Sequence, residues 1–184
     1  MRIFLAIDLP DSIKSKISNL LRELSRYSHS IRLTPINNLH LTLKFLGEQN
    51  EFAVEHISRI AKETAMSRSG FRIDLNRSGF FGPLYNPKIL WLGGENKEFV
   101  SMAEELNKSL EAFRPEEHKP VCHLTIGRIK GLEKAEALEV LRTCREFVKN
   151  SDLSFVATRI HLYKSTLYRS GAVYEKLKTF SMRG

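Results

Sequence analysis

The strongest constraint on what this chain can fold into is a pattern that occurs twice. A strand-like run near Ile3, a helix-like run near Asp11, a strand-like run with His40 and a helix-like run near Glu51 come first. The same order returns near Ile89, Glu98, His123 and Glu133. His40 follows Ile3 by 37 residues and His123 follows Ile89 by 34, and the next helix begins 11 and 10 residues after each histidine. Recurrence at such even spacing predicts two related lobes that face each other.

The periodicities fill in the rest. Arg2 to Ile7 alternates as a strand. Asp8, Pro10 and Asp11 then start a helix whose apolar face is Ile13, Ile17, Leu20, Leu21 and Leu24. Ile31 to Thr34 reads as a short strand, Leu39 to Leu46 as a strong one and Glu51 to Met66 as a helix. Phe71 to Leu75 alternates, Ser78 to Pro87 reads as a loop rich in glycine, proline and aromatics, and Lys88 to Leu92 is a strand closed by Gly93 and Gly94. A helix over 97–113, a strand from Val121 to Ile126 stopped by Gly127, and a helix over 133–148 follow, with closing strands over 153–163 and 172–177. No low-complexity linker divides the chain, so residues 1–184 are expected to form a single two-lobed domain of the α+β class.

With 184 residues there is enough surface to bury a core without staples. No apolar run approaches the ~18 residues of a membrane span, and the short apolar start meets Asp8 and Pro10, unlike a secretory signal. The two cysteines, Cys122 and Cys144, form no CxxC pair, and no Cys/His cluster has zinc spacing. A reduced, cytoplasmic protein with no metal is the expectation. Gly93-Gly94-Glu95 does not match a P-loop, so no nucleotide cofactor is expected. The formal charge of +8 favours a polyanionic partner such as RNA, and residues 150–184 hold half of that surplus.

The two repeats carry the same four letters of chemistry: His40-Leu41-Thr42-Leu43 and His123-Leu124-Thr125-Ile126. In a strand, residues i and i+2 share a face. Each run therefore shows His and Thr on one side and anchors apolar residues on the other. A single His-x-Thr strand is usually a solvated or hydrogen-bonded pair. At residue frequencies of a few per cent, chance recurrence of the whole pattern is on the order of 1 in 10⁵, weakened about tenfold or more by strand composition and after-the-fact selection. Two facing imidazoles let one act as base and the other as acid near neutral pH. Two hydroxyls can donate to non-bridging phosphate oxygens, where charge builds in a transition state. That set suits metal-free cleavage of a phosphodiester.

At these residues the chain resembles the two-histidine (2H) phosphoesterase superfamily, and more closely the RNA 2′,3′-cyclic phosphodiesterase family, also called 2′–5′ RNA ligases. The likeness rests on the first strand from Arg2 to Asp8, on Asn38-Leu39-His40-Leu41-Thr42-Leu43-Lys44-Phe45-Leu46-Gly47, on Leu90-Trp91-Leu92-Gly93, on His123-Leu124-Thr125-Ile126-Gly127-Arg128 and on Leu162-Tyr163-Lys164-Ser165. The resemblance implies two pseudo-symmetric lobes, with antiparallel sheets lining a central cleft and helices outside. It implies opening of a terminal 2′,3′-cyclic phosphate to a 2′-phosphate without metal, with His40 as proton donor, His123 as proton acceptor, and Thr42 and Thr125 on the phosphate. The near-symmetry of the cleft leaves the direction less firm than the pairing. Reversible 2′–5′ joining of RNA ends is the same chemistry with an RNA hydroxyl in place of water, and a non-catalytic RNA-end-binding module is the reading from another class. Cys122 stands where many members have proline and Leu33 where many have tryptophan. Strand parity turns Cys122 from the cleft; Leu33 alters a wall.

Further candidates follow. The resemblance makes Arg128 a substrate contact. Strict alternation puts it opposite His123, but Gly127 permits a twist or bulge that brings it round. Lys44 shares parity with His40 and Thr42 and reads equally as a residue of the cleft mouth or as a solvated lysine. Phe4 is a candidate to stack on a terminal base, against the ordinary reading of core. Phe80, Phe81 and Tyr85 are candidates for a lip over RNA, with no parity in that segment to decide it. His29, His56, His118 and His161 lack the threonine partner and read as surface or structural. One cleft per chain makes a monomer sufficient.

Overall fold

Alternation along Arg2–Asp8 sorts that strand onto two faces, and the rest of the molecule is assembled on them. The computed structural model describes residues 1–169 and 171–184. The elements are β1 (Arg2–Asp8), α1 (Asp11–Leu24), β2 (Ile31–Leu33), β3 (His40–Glu48), α2 (Glu51–Met66), β4 (Phe71–Asp74), β5 (Arg77–Phe81), β6 (Ile89–Gly93), α3 (Lys97–Ser109), β7 (His123–Ile129), α4 (Lys134–Asn150), β8 (Ser154–Ala157), β9 (Arg159–Tyr168) and β10 (Gly171–Ser181). Ile3, Leu5 and Ile7 of β1 join the main core, whereas Phe4 and Ala6 form a separate small cluster with Tyr163 and Tyr174 on the opposite face.

The helices cover the first face only. Ile13, Ile17, Leu20 and Leu24 of α1, Val54, Ile57 and Ala61 of α2, Phe99, Met102 and Leu106 of α3, and Val140, Cys144 and Val148 of α4 are all buried in the main core. Each fully buried large aliphatic or aromatic side chain contributes about 1.5–3 kcal/mol. Asn50 and Asn96 cap α2 and α3 by accepting from the amides of Ala53 and Phe99 at 2.9 and 2.7 Å, and Glu133 with Glu136 forms a capping box at α4.

The main sheet runs β10-β9-β1-β3-β7-β6-β5, with β2 beside β7, and its strand pairs are antiparallel. Its two halves meet at one pair, Leu41 opposite Leu124. Each half repeats the order strand, helix, histidine strand, helix: β1-α1-β3-α2 and β6-α3-β7-α4. This is the α+β, two-lobed arrangement expected from the repeat.

The expected 97–113 helix ends at Ser109 and the expected 172–177 strand extends over Gly171–Ser181, and three further departures have a plain cause. The start of the expected 78–87 loop is strand β5. Gly79 reads as a loop residue, but it is there because the Trp91 ring lies across it: a Cβ would sit 2.6 Å from that ring. Gly79→Ala is therefore expected to destabilise the protein by about 1–3 kcal/mol, as overpacking does, and to perturb the fluorescence of the single tryptophan. An unchanged denaturation midpoint counts against it. The expected 153–163 strand is divided at Thr158, because β8 pairs with β4 in a small second sheet while β9 enters the main one. Strand β7 runs through Gly127 to Ile129, because Ile31–Leu33 of β2 pair there.

Candidate active site

The two motif strands place His40 and Thr42, and His123 and Thr125, half-buried on the face away from the helices, while Leu41, Leu43, Leu124 and Ile126 are buried in the core. The Leu41–Leu124 pair holds β3 against β7, and His40 lies close enough to His123 for that imidazole to lower its proton affinity. The structure thus brings all four residues to the junction of the two lobes.

Both imidazoles are oriented alike. His40 Nδ1 lies 2.7 Å from the Asn38 carbonyl and His123 Nδ1 lies 2.9 Å from the Val121 carbonyl, each two residues upstream. A carbonyl only accepts, so each Nδ1 carries the hydrogen and each Nε2 is left for chemistry. Tyr174 meets the His40 ring edge-on at 5.2 Å and 84°, and Phe81 meets the His123 ring at 4.9 Å and 86°. Behind them Phe4 stacks on Tyr163 at 5.2 Å, and Phe81 on Trp91 at 5.6 Å.

The symmetry breaks at the neighbouring strands. Asp8 is in register with His40, whereas Gly93 is in register with His123. Burial alone pushes the Asp8 carboxyl upward, but Lys14 at 3.0 Å and Lys176 at 3.2 Å outweigh it and hold the carboxyl below its usual range. Burial lowers the pKa of both histidines below the ordinary value; the Asn38 carbonyl and the Asp8 charge oppose this at His40, and only the Val121 carbonyl opposes it at His123.

Each histidine strand also has a bulge just after its threonine. Thr42 pairs with Ala6 but Lys44 with Leu5, which leaves Leu43 extra; Thr125 pairs with Trp91 but Gly127 with Leu90, which leaves Ile126 extra. Each bulge reverses the alternation that follows. In the second lobe it turns Arg128 toward the cleft face, where its charge reaches Tyr174. In the first it turns Phe45 to the cleft face, 5.8 Å from Phe4, and sends Lys44 the other way. Lys44 is therefore not at the cleft mouth, where strand parity alone would place it. Its side chain is 0% exposed, with Nζ 3.7 Å from Glu116.

Phe4 is also corrected. It lies on the cleft face but is only 1% exposed, with its ring against His40, Tyr163 and Tyr174, so it offers no free face to a base. Cys122 and Cys144 are buried in the main core, and burial pushes both thiols up to about 12. The basic surplus near the C-terminus is partly neutralised, since Lys164, Lys176 and Lys178 pair with Glu175, Asp8 and Glu55. Of the aromatic frame, Phe81 is among the residues expected at the lip, whereas the packing of Tyr163, Tyr174 and Trp91 behind the histidines has no counterpart in the expectations. For Trp91 and Tyr163 the signal was parity with the motif strands; the strand that carries Phe81 reads as a loop.

His161 is structural. It is 6% exposed, Nδ1 is 2.9 Å from Thr179 Oγ1, and its pKa falls to about 4, by burial first and then by repulsion from Lys176 and Arg159, against the attraction of Asp8. The folded state holds this ring neutral while the unfolded chain protonates it near 6.5. Stability is therefore complete above pH 6.5 and declines as pH falls toward 4, by roughly 3 kcal/mol for this group. His161→Gln is expected to flatten that part of the stability profile measured by denaturant titration; an unaltered slope contradicts the assignment.

Among the described residues no three His, Cys, Asp or Glu side chains gather as a metal site requires, and no helix is long and apolar enough to cross a membrane.

Comparison with known proteins finds relatives over the whole chain. The LigT like phosphoesterase family matches residues 7–91 and 94–174. An RNA 2′,3′-cyclic phosphodiesterase of Methanocaldococcus jannaschii is 34% identical over 181 residues, covering 97% of this chain and 99% of that one. A protein of the same name from Thermotoga maritima is 30% identical over 188 residues, covering 100% and 97%. The crystal structure of TT0787 from Thermus thermophilus superimposes with a TM-score of 0.81 at 26% identity, covering 100% and 99%.

Proposed function

Since the chain belongs to the LigT-like phosphoesterase family, we propose that it hydrolyses the terminal 2′,3′-cyclic phosphate of RNA to a 2′-phosphate by paired-histidine acid–base catalysis. The whole of residues 1–184 serves as one two-lobed domain for this reaction. The observation that carries the reading is the matched pair of imidazoles, each fixed through Nδ1 to a carbonyl two residues upstream.

His123 Nε2 takes a proton from water, and the water oxygen bonds to phosphorus. The bond from phosphorus to the 3′-oxygen breaks, and His40 Nε2–H delivers its proton to that oxygen. The products are a 3′-hydroxyl and a 2′-phosphate. Asp8 supports this direction, since its negative charge beside His40 favours the imidazolium there and, among the described residues, has no counterpart beside His123. Thr42 and Thr125 hold the non-bridging oxygens, and Arg128 contacts the substrate from the rim. The names of the relatives support RNA as the substrate.

The test is turnover of an oligonucleotide ending in a 2′,3′-cyclic phosphate, in EDTA, with and without a second oligonucleotide bearing a free 5′-hydroxyl. Hydrolysis in both mixtures is expected. A joined 2′–5′ product with no hydrolysis would support ligation instead, and a metal requirement would overturn the mechanism.

The pH dependence follows from the same geometry. The base works above its pKa and the acid below its own. Burial lowers both in the free enzyme, so kcat/KM is expected to be bell-shaped with its maximum on the acid side of pH 6.5. Bound phosphate favours the imidazolium, so the kcat profile moves toward higher pH. A kcat/KM maximum well above pH 6.5 contradicts this account.

A further inference from the structure

After Leu41 and Leu124 the strands β3 and β7 splay, and β2 fills the gap on only one side of the pair, against Gly127 to Ile129. On the other side a cavity of about 320 Å³ opens between residues 42–45 and the segment 116–121. Thr42, His123, Phe45 and Phe81 line it toward the cleft, and Lys44 and Asn107 line it toward α3.

Two buried polar atoms in this cavity have no hydrogen-bond partner: Lys44 Nζ, a donor, and Asn107 Oδ1, an acceptor. Leaving such groups unsatisfied costs free energy that an occupant recovers. Lys44 already has Glu116 as its counter-charge at 3.7 Å, so an anion gains little there. The rest of the lining is mixed: Glu116, His118 and Lys119 are polar, whereas Leu43, Phe45, Phe81, Pro120 and Val121 give apolar walls, of which Phe45 is 43% exposed and Val121 46%. An uncharged, flat ring system with an acceptor beside a donor on its edge fits the two unpartnered atoms and the apolar walls. Every nucleobase presents such an edge, and its faces suit Phe45 and Phe81.

We infer that this cavity is a nucleobase subsite, which receives the base of the nucleotide carrying the reacting phosphate. Lys44 donates to a ring nitrogen or carbonyl oxygen of the base, and Asn107 Oδ1 accepts from its amino or imino hydrogen. The inference rests on the proposed reaction, because Thr42 and His123 form the wall shared with the phosphate. It makes Lys44 a specificity residue, acting from the far side of the sheet.

The experiment is a binding titration, read by the fluorescence of Trp91, the only tryptophan, which stacks on the cavity wall Phe81. Uridine 2′-phosphate is compared with ribose 2-phosphate. The wild type is expected to bind the nucleotide at least about tenfold more tightly, and Lys44→Met to lose that preference while still binding ribose 2-phosphate like the wild type. Asn107→Leu carries the same expectation and serves where Lys44→Met does not fold. Equal affinities of the wild type for the two probes, or a preference that both variants keep, would overturn the subsite. Turnover of the cyclic-phosphate oligonucleotide is measured separately. Base-dependent binding without turnover sinks the proposed reaction and leaves the subsite standing; turnover without base-dependent binding does the reverse.

Discussion

His123→Ala and His40→Ala are each expected to lower kcat/KM on a cyclic-phosphate-ended oligonucleotide by on the order of 10²–10⁴-fold, the range that a positioned acid or base supplies. The double variant is expected to lose little more than the worse single one, because base and acid act in one step. The shape of the loss separates the roles. His123→Ala should remove the acid limb of the pH profile, since no base is left to be protonated, and His40→Ala should remove the alkaline limb. Neither ring is needed for the core: both are half-buried on the cleft face, while the main core is built from the opposite face. Melting temperatures near the wild-type value should accompany the loss. A variant that lost activity and stability together would make the histidine a structural residue. Retained turnover in both single variants would remove the mechanism.

Replacing the hydroxyl donors has the next largest expected effect. Thr42→Val and Thr125→Val keep the β-branched shape that suits a strand and delete one donor each. Loss of a single donor to a developing oxyanion typically costs 10²–10³-fold in kcat. That loss is expected in kcat more than in KM, because the charge on the non-bridging oxygens grows only as water attacks. Thr→Ser variants should recover much of the rate. A change confined to KM would place the threonines in ground-state binding instead, and no change at all would remove them from the site.

The sequence made the paired histidines legible because alternation in a strand exposes i and i+2 together, and the motif occurs twice at even spacing. The lobes were legible for the same reason. The face of a residue beyond a bulge was not. Leu43 and Ile126 look like ordinary strand residues, yet each reverses the alternation after it. The reversal sends Lys44 beneath the sheet and turns Arg128 toward the cleft. Glycine marks Gly127 as the natural source of that turn, but the extra residue is its neighbour Ile126. Strand β5 was hidden because Gly79 marks a close approach to Trp91 as readily as a turn. The difference between the two histidines was not legible either. It depends on what lies across the ladder, Asp8 in one lobe and Gly93 in the other, and that register forms only on folding.

The central claim is that this cleft opens a 2′,3′-cyclic phosphate at the 3′-oxygen with water and two histidines. The most direct measurement is the product formed from a cyclic-phosphate-ended oligonucleotide in heavy-oxygen water containing EDTA. The account predicts one heavy oxygen in a phosphate that remains on the 2′-oxygen, with a free 3′-hydroxyl. A phosphate on the 3′-oxygen, or no product without added metal, would contradict it.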